Sequence, residues 1–189
     1  SIFVNPLQFG PNEDFEQYPR TLDADVAKLQ ALSVDVVFAP DEQSFYKSDK
    51  SKTTYVEVPG LSDILCGVSR PGHFRGVTTV VNKLFNIVQP DTAVFGSKDY
   101  QQLTIIRQMI EELNIPVALI GLDTVRESDG LAMSSRNRYL SVEQRAQAPV
   151  LFKCLQSMRQ AVLEAEQGLE KLVADTKDQL MQQGFRVDY

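Results

Sequence analysis

TAVFGSKDYQQLTIIRQMIEELNIPVALI, residues Thr92 to Ile120, holds a complete strand–helix–strand unit. Thr92–Phe95 is a short apolar run ended by Gly96, which reads as a buried strand. Asp99–Leu113 then places Leu103, Ile106, Ile110 and Leu113 at helical spacing, one apolar face of an amphipathic helix. Pro116–Ile120 is the next strand. Strands that alternate with helices make a parallel sheet covered on both faces, with any ligand at the carboxyl ends of the strands.

The same alternation extends outward. Gly76–Val88 carries Val77, Val80, Val81, Leu84, Phe85 and Val88 on one helical stripe, and Thr54–Val58 alternates like a peripheral strand. Asp41–Lys52 is polar and reads as a loop; Val34–Ala39 is an apolar run closed by Pro40. Leu22–Leu32 spaces Leu22, Val26, Leu29 and Leu32 as a helix, with Thr21 as N-cap. Ser1–Val4 reads as a strand ended by Asn5-Pro6. Beyond Asp129-Gly130 the pattern changes to two long helices, Glu143–Glu166 and Leu169–Gln183, parted by Gly168. The expected organisation is one domain over 1–128 and the start of a smaller one over 129–189.

Composition narrows the function classes. The 189 residues carry 19 Lys and Arg against 25 Asp and Glu, a net charge of −6, which argues against nucleic acid as the main partner. No apolar run approaches the ~20 residues of a membrane span. Two cysteines far apart, Cys66 and Cys154, make neither a disulfide scaffold nor a cysteine zinc site, and suit a reducing compartment. The chain opens on Ser1 as though within a strand and stops at Phe185-Arg186-Val187-Asp188-Tyr189 as though entering another, so it is expected to be an internal fragment.

Dinucleotide, P-loop and nucleophile-elbow motifs are absent, and a single histidine, His73, excludes a metal site built on two imidazoles of this chain. Three loops remain. Asn5 and Gln8 are amides suited to the hydroxyl and carboxylate groups of a small polar acid, or else a turn in which Asn5 bonds its own backbone. Gly96-Ser97-Lys98-Asp99 joins a strand end to a helix start, offering N–H groups and a mobile cation to an anion; Asp99 reads equally as a helix cap, and Gln102 faces the same mouth. Met133-Ser134-Ser135-Arg136 reads either as a phosphate clamp or as a capping linker. His73, with Arg70 nearby, reads as a general base or as a packing residue.

Five motifs in order carry a resemblance: Ser1–Pro6 with Gln8-Phe9, Tyr18–Thr21, Arg70–Val77, Phe95–Gln102 and Asp129–Asn137. Together they resemble the pantothenate synthetase family, nucleotidylyltransferase-like Rossmann folds. The resemblance implies a Rossmann-like α/β fold with a smaller α+β C-terminal domain. It also implies a cytoplasmic homodimer that uses ATP and Mg2+ to join pantoate to β-alanine through pantoyl adenylate, releasing pyrophosphate and then AMP. By the same resemblance Gln8 and Gln102 hold pantoate, Gln8 also borders the β-alanine position with Asn5 supporting it, and Lys98, Ser134 and Arg136 are catalytic. Gly96, Ser97, Lys98, Asp99, Val125, Met133, Ser134, Ser135 and Arg136 line the ATP site, Val125 through its backbone, and Asp25 lies in the Mg2+ neighbourhood.

Ser97 departs from the family's usual Glu, and the family's paired-histidine motif His-x-Gly-His does not occur in the chain. The isolated chain is therefore expected to be nearly inactive. Two other classes stay open: a nucleotidyltransferase acting on a phosphorylated substrate, and a nucleotide-binding module without catalysis.

Overall fold

The computed structural model describes residues 1–46, 52–164 and 168–189. In chain order its helices are α1 (Leu22–Ala31), α2 (Glu42–Phe45), α3 (Cys66–Ser69), α4 (His73–Val88), α5 (Tyr100–Glu112), α6 (Val142–Gln147), α7 (Val150–Glu164) and α8 (Leu169–Gln182). Its strands are β1 (Thr92–Gly96) and β2 (Ala118–Leu122), paired parallel with Thr92 opposite Ala118 and Gly96 opposite Leu122. Two compact units result, Ser1–Leu122 and Asp123–Tyr189. Among the described residues no helix is long and apolar enough to cross a membrane.

The core of the first unit sits where α4 meets α5. Val77, Val80, Val81 and Phe85 bury against Ile105, Ile106, Met109 and Ile110, and Ala93, Phe95 and Leu119 of the sheet pack on the same cluster. Each such side chain is worth about 1.5–3 kcal/mol when fully buried. The expected stripe of α5 is confirmed at Leu103, Ile106 and Ile110, whereas Leu113 caps the helix in solvent. Across the sheet, Val94 and Ile120 are exposed.

Three of the runs read as strands are extended but unladdered. Ser1–Val4 and Val34–Ala39 share one backbone bond, Ile2 N–H to Phe38 O at 2.9 Å, among the described residues. Thr54–Val58 finds its partners on a helix instead: Val56 N–H donates to Thr79 Oγ1 at 3.0 Å, and Thr78 Oγ1 donates to Val56 O at 2.6 Å. Apolar composition, and in Thr54–Val58 alternation, marked these runs, but a strand also needs a neighbour with free backbone groups.

The helices differ in detail. α4 begins three residues before Gly76, because Gly72 turns the chain at φ +80°, the left-handed region that glycine tolerates. α1 forms where expected, yet Leu22 and Leu32 stay exposed, and the Thr21 hydroxyl donates to Asp25 rather than capping. Part of the Asp41–Lys52 loop is the single turn α2, capped by Asp41, which accepts from Ser44 N–H at 2.8 Å; residues 47–51 lie outside the described set. The expected helix Glu143–Glu166 is two helices broken at Ala148-Pro149, where proline supplies no N–H; its last two residues are also outside the set.

In the second unit Arg126 and Ala132 form an antiparallel bridge, which ties the two arms of the Asp129-Gly130 turn together. The division therefore falls after Leu122, ahead of the 128/129 boundary expected from composition. α7 packs on α8 through buried Cys154, Leu172 and Leu180.

Candidate active site

The turn Pro6–Gln8 is built around one side chain. Asn5 is 2 % exposed and every valence of its amide is used. Its Oδ1 accepts from Leu7 N–H at 3.2 Å and from the Tyr46 hydroxyl at 2.7 Å. Its Nδ2 donates to Gly76 O at 3.0 Å and to Gln8 Oε1 at 3.1 Å. Because an N–H can only donate and a carbonyl only accept, this network fixes the orientation of both amides. Gln8 thus has its oxygen taken by Asn5, and its two Nε2 donors remain for an acceptor such as a carboxylate or hydroxyl. Asn5 itself is a buried support, both an Asx turn and the brace of Gln8. Burial pushes the Tyr46 phenol well above its usual range, so it stays a donor.

The start of α4 presses on this turn. A Cβ at Gly76 would stand 2.3 Å from Leu7 O and 2.7 Å from Gln8 N, so glycine is required for the approach. One turn earlier, Arg70 grips Glu13 through both guanidinium edges, Nε to Oε1 at 2.7 Å and NH2 to Oε2 at 2.5 Å. Its remaining arm meets His73 Nε2 at 3.0 Å, while His73 Nδ1 meets Gln8 O at 2.8 Å. These groups rim a cavity of about 460 Å3 that also reaches Phe9, Gly10 and Arg75. Hydrogen bonding to Arg70 holds the Glu13 carboxyl below the usual glutamate range, against the opposing effect of burial. Burial pushes His73 below the usual histidine range; Arg70 adds to this, while the Gln8 carbonyl, Glu13 and Asp99 oppose it. The influence of Asp99 ties the loop after β1 electrostatically to His73.

That loop leads into α5, whose first turn carries two adjacent glutamines. Gln101 is consumed: Nε2 donates to Leu61 O and Ile64 O, both at 2.8 Å, and Oε1 accepts from Cys66 N–H at 3.1 Å. Gln102 is half-buried and has no hydrogen-bond partner among the described residues. Lys98 and Gly96 are exposed, and Lys98 has no ion-pair partner among the described residues. A Cβ at Gly96 would meet nothing within 4 Å, so the space above the strand end is open to a ligand. Asp99 makes no side-chain cap bond to α5, which weakens the capping alternative. Ser97 is half-buried, its Oγ facing Gly121 of β2.

Asp25 stands elsewhere. It accepts from Thr21 Oγ1 at 3.0 Å, lies 3.9 Å from Lys28, and lines a separate cavity of about 310 Å3 with Ile2, Leu29 and Val36. Among the described residues no three His, Cys, Asp or Glu gather as metal ligands.

The second unit holds the other loop. Val125 is 66 % exposed and its carbonyl accepts from Met133 N–H at 2.9 Å, so these two backbones lie side by side. Ser134 caps the 3-10 turn Ser135–Tyr139, its Oγ accepting from Arg136 N–H at 3.3 Å, and Asn137 Nδ2 ties back to Ala132 O at 3.0 Å. Arg126 lies over the Phe152 ring and bonds Gly130 O at 3.1 Å, and Asp129 pairs with Arg145 at 2.6 Å. Met133, Ser135 and Arg136 are exposed on this braced turn. Sequence reading missed Glu13, Tyr46 and the structural duty of Gln101, since each partner lies 35 or more residues away and no spacing announces it.

A family model described as pantoate-beta-alanine ligase matches residues 1–189. The pantothenate synthetase of Shewanella sp. strain ANA-3 is 55% identical over 189 residues, all of this chain and 67% of the relative. That of Alkalilimnicola ehrlichii is 56% identical over all of this chain and 66% of its own length. The crystal structure of pantoate-beta-alanine (pantothenate synthetase) from Thermus thermophilus matches with TM-score 0.93 at 47% identity, covering 100% of this chain and 68% of that one. The Francisella tularensis pantoate-beta-alanine ligase, solved with beta-gamma ATP and beta-alanine, matches with TM-score 0.77 at 36% identity, covering 94% and 65%. The chain spans about two thirds of the length of these relatives.

Proposed function

The chain belongs to the pantoate-beta-alanine ligase family, and on that premise we propose that it acts in ATP-dependent condensation of pantoate with β-alanine through pantoyl adenylate. In the first step a pantoate carboxylate oxygen bonds to the α-phosphorus of ATP and the bond to the pyrophosphate leaving group breaks. In the second, the β-alanine amine attacks the acyl carbon, AMP leaves with the bonding pair, and the amine loses a proton. Such chemistry asks for positioning and charge stabilisation more than for a nucleophilic side chain.

The observation that carries this reading is the stretch Gly96–Gln102, the loop after β1 and the start of α5, where Lys98 and Gln102 stand uncommitted beside a fully committed Gln101. Gln102 and the outward Nε2 donors of Gln8 suit the carboxylate and hydroxyls of pantoate. Lys98 is free to follow charge as it shifts from the α-phosphate to pyrophosphate, with Gly96, Ser97 and Asp99 forming the rest of the nucleotide wall. Ser134 and Arg136, with Met133, Ser135 and the backbone of Val125, are the further nucleotide contacts that the family resemblance implies. The nucleotide complex of the Francisella relative supports ATP as substrate. Mg2+ is read as arriving on the triphosphate, since Asp25 is committed to Thr21 and Lys28; no step is routed through it. A cytoplasmic homodimer remains part of the proposal.

The test is pyrophosphate exchange by the full translation product of the gene. Labelled pyrophosphate should enter ATP when pantoate is present and β-alanine absent. Exchange that needs β-alanine, or none while pantothenate is still made, would rule out the adenylate.

A further inference from the structure

His73 is the chain's single histidine, and its ring is held between two partners whose chemistry leaves no choice of proton. A guanidinium only donates, so His73 Nε2, 3.0 Å from Arg70, is an acceptor and carries no hydrogen. A carbonyl only accepts, so Nδ1, 2.8 Å from Gln8 O, carries the proton. The imidazole is therefore neutral and a single tautomer. Arg70 is in turn held by both oxygens of Glu13, 57 residues away on the loop that follows Gln8. The chain of bonds runs from Glu13 through Arg70 and His73 to the main chain of Gln8, while Asn5 holds the side chain of the same residue at 3.1 Å. With Nε2 occupied, the ring has no lone pair to take a proton from a substrate, which removes the general-base role.

We propose that His73 is a positioning residue that acts on substrate through Gln8: as the Nδ1–H tautomer it pins the Gln8 carbonyl, and so sets the placement of the amide donors in the cavity. The inference rests on the reading of Gln8 as a pantoate contact. Protonating the ring puts an N–H against the Arg70 guanidinium, donor against donor and charge against charge, so acidification breaks the Arg70 contact that holds the ring in place over Gln8. The charged groups facing the ring are Arg70 beside it on the approach to α4, Glu13 on the loop after Gln8, and Asp99 on the loop after β1. The two carboxylates favour the proton, but burial and Arg70 oppose it, and the ring stays neutral at neutral pH.

Two measurements test this on the full-length protein. The first is a long-range 1H–15N spectrum of the His73 imidazole across a pH titration, its resonances assigned through backbone correlations to Gly72 and Phe74. A neutral Nδ1–H signature at pH 7, titrating below the ordinary histidine value of about 6.5, is expected. An Nε2–H tautomer, or a charged ring at pH 7, overturns the clamp whether or not any variant folds. The second is calorimetric pantoate binding by wild type, Gln8→Ala, His73→Phe and His73→Asn. Asn places an N–H as many bonds from Cα as Nδ1, so it can rebuild the bond to Gln8. Expected are losses of about tenfold or more in His73→Phe, recovery to within about threefold in His73→Asn, and an acid limb of binding that tracks the imidazole titration and vanishes in His73→Asn. Weak binding by Gln8→Ala with wild-type binding by His73→Phe overturns the relay and leaves the Gln8 reading standing. No pantoate binding by the unmodified protein, or no loss in Gln8→Ala, overturns both.

Discussion

Gln101 and Gln102 show how much chemistry hides behind identical side chains one position apart. Helical geometry turns consecutive residues by about 100°, so one faces the α3 loop and the other does not. Gln101→Ala removes three hydrogen bonds and leaves the backbone groups of Leu61, Ile64 and Cys66 to find other partners. A loss of about 1–3 kcal/mol in unfolding free energy is expected, read as a lower urea midpoint. Gln102→Ala should leave that midpoint unchanged and weaken pantoate binding about tenfold. A destabilised Gln102→Ala would mean that it too is structural. The sequence places Gln102 at the mouth of the loop by its position one turn into the helix, but gives it pantoate only through family resemblance. Asn5 is the converse. An Asx turn was legible from Asn5-Pro6, but its bonds to Tyr46 and Gly76 reach 41 and 71 residues along the chain and leave no local trace.

Elements were legible in proportion to how local their causes are. α4, α5 and α8 follow from apolar spacing because a helix satisfies its backbone within itself. The runs Ser1–Val4, Val34–Ala39 and Thr54–Val58 had strand composition, yet pairing is a property of two segments, and the threonines of α4 took the place of a neighbouring strand for Val56. The break at Pro149 was written in the sequence and overridden by a strong amphipathic pattern on either side. Gly76 makes the element-scale prediction. It is a helix position where alanine normally stabilises by up to about 1 kcal/mol through propensity. Here the added methyl meets backbone atoms at 2.3 to 2.7 Å, which no rotamer can relieve. Overpacking should win, costing about 1–3 kcal/mol and lifting the Pro6–Gln8 turn off α4. A thermal melt and pantoate calorimetry on Gly76→Ala should therefore fall together; a higher melting temperature would show that the turn yields freely.

Over the whole molecule, acid stability and the separate roles of Gln102 and Arg136 are the two things to measure. His73 has a folded pKa below its unfolded value of about 6.5. As pH falls through 6.5 the unfolded chain binds a proton that the folded chain refuses, so stability declines from there toward the folded pKa. Glu13, held low by Arg70, contributes stability above its unfolded value of about 4.3 that is lost as pH falls through its folded one. Urea midpoints should thus be level near pH 7 and drop in two stages. The upper stage should vanish in His73→Asn, and Glu13→Gln should soften the lower one. The proposed site residues are drawn from both units. Gln8, Gln102 and Lys98 belong to Ser1–Leu122, whereas Ser134 and Arg136 belong to Asp123–Tyr189. Arg136 is placed on a turn braced by Ser134 and Asn137, so removing its guanidinium should not disturb the pantoate amides. A cation that meets charge developing on departing pyrophosphate acts on the rate of adenylation; losing one such donor costs about 100-fold or more. Arg136→Ala should accordingly lower pantoate-dependent pyrophosphate exchange by that order while pantoate calorimetry stays at the wild-type value. Gln102→Ala should do the reverse at saturating pantoate, restoring exchange as the acid is raised. If Arg136→Ala instead weakens pantoate binding, the proposed role of Arg136 in adenylation alone is wrong.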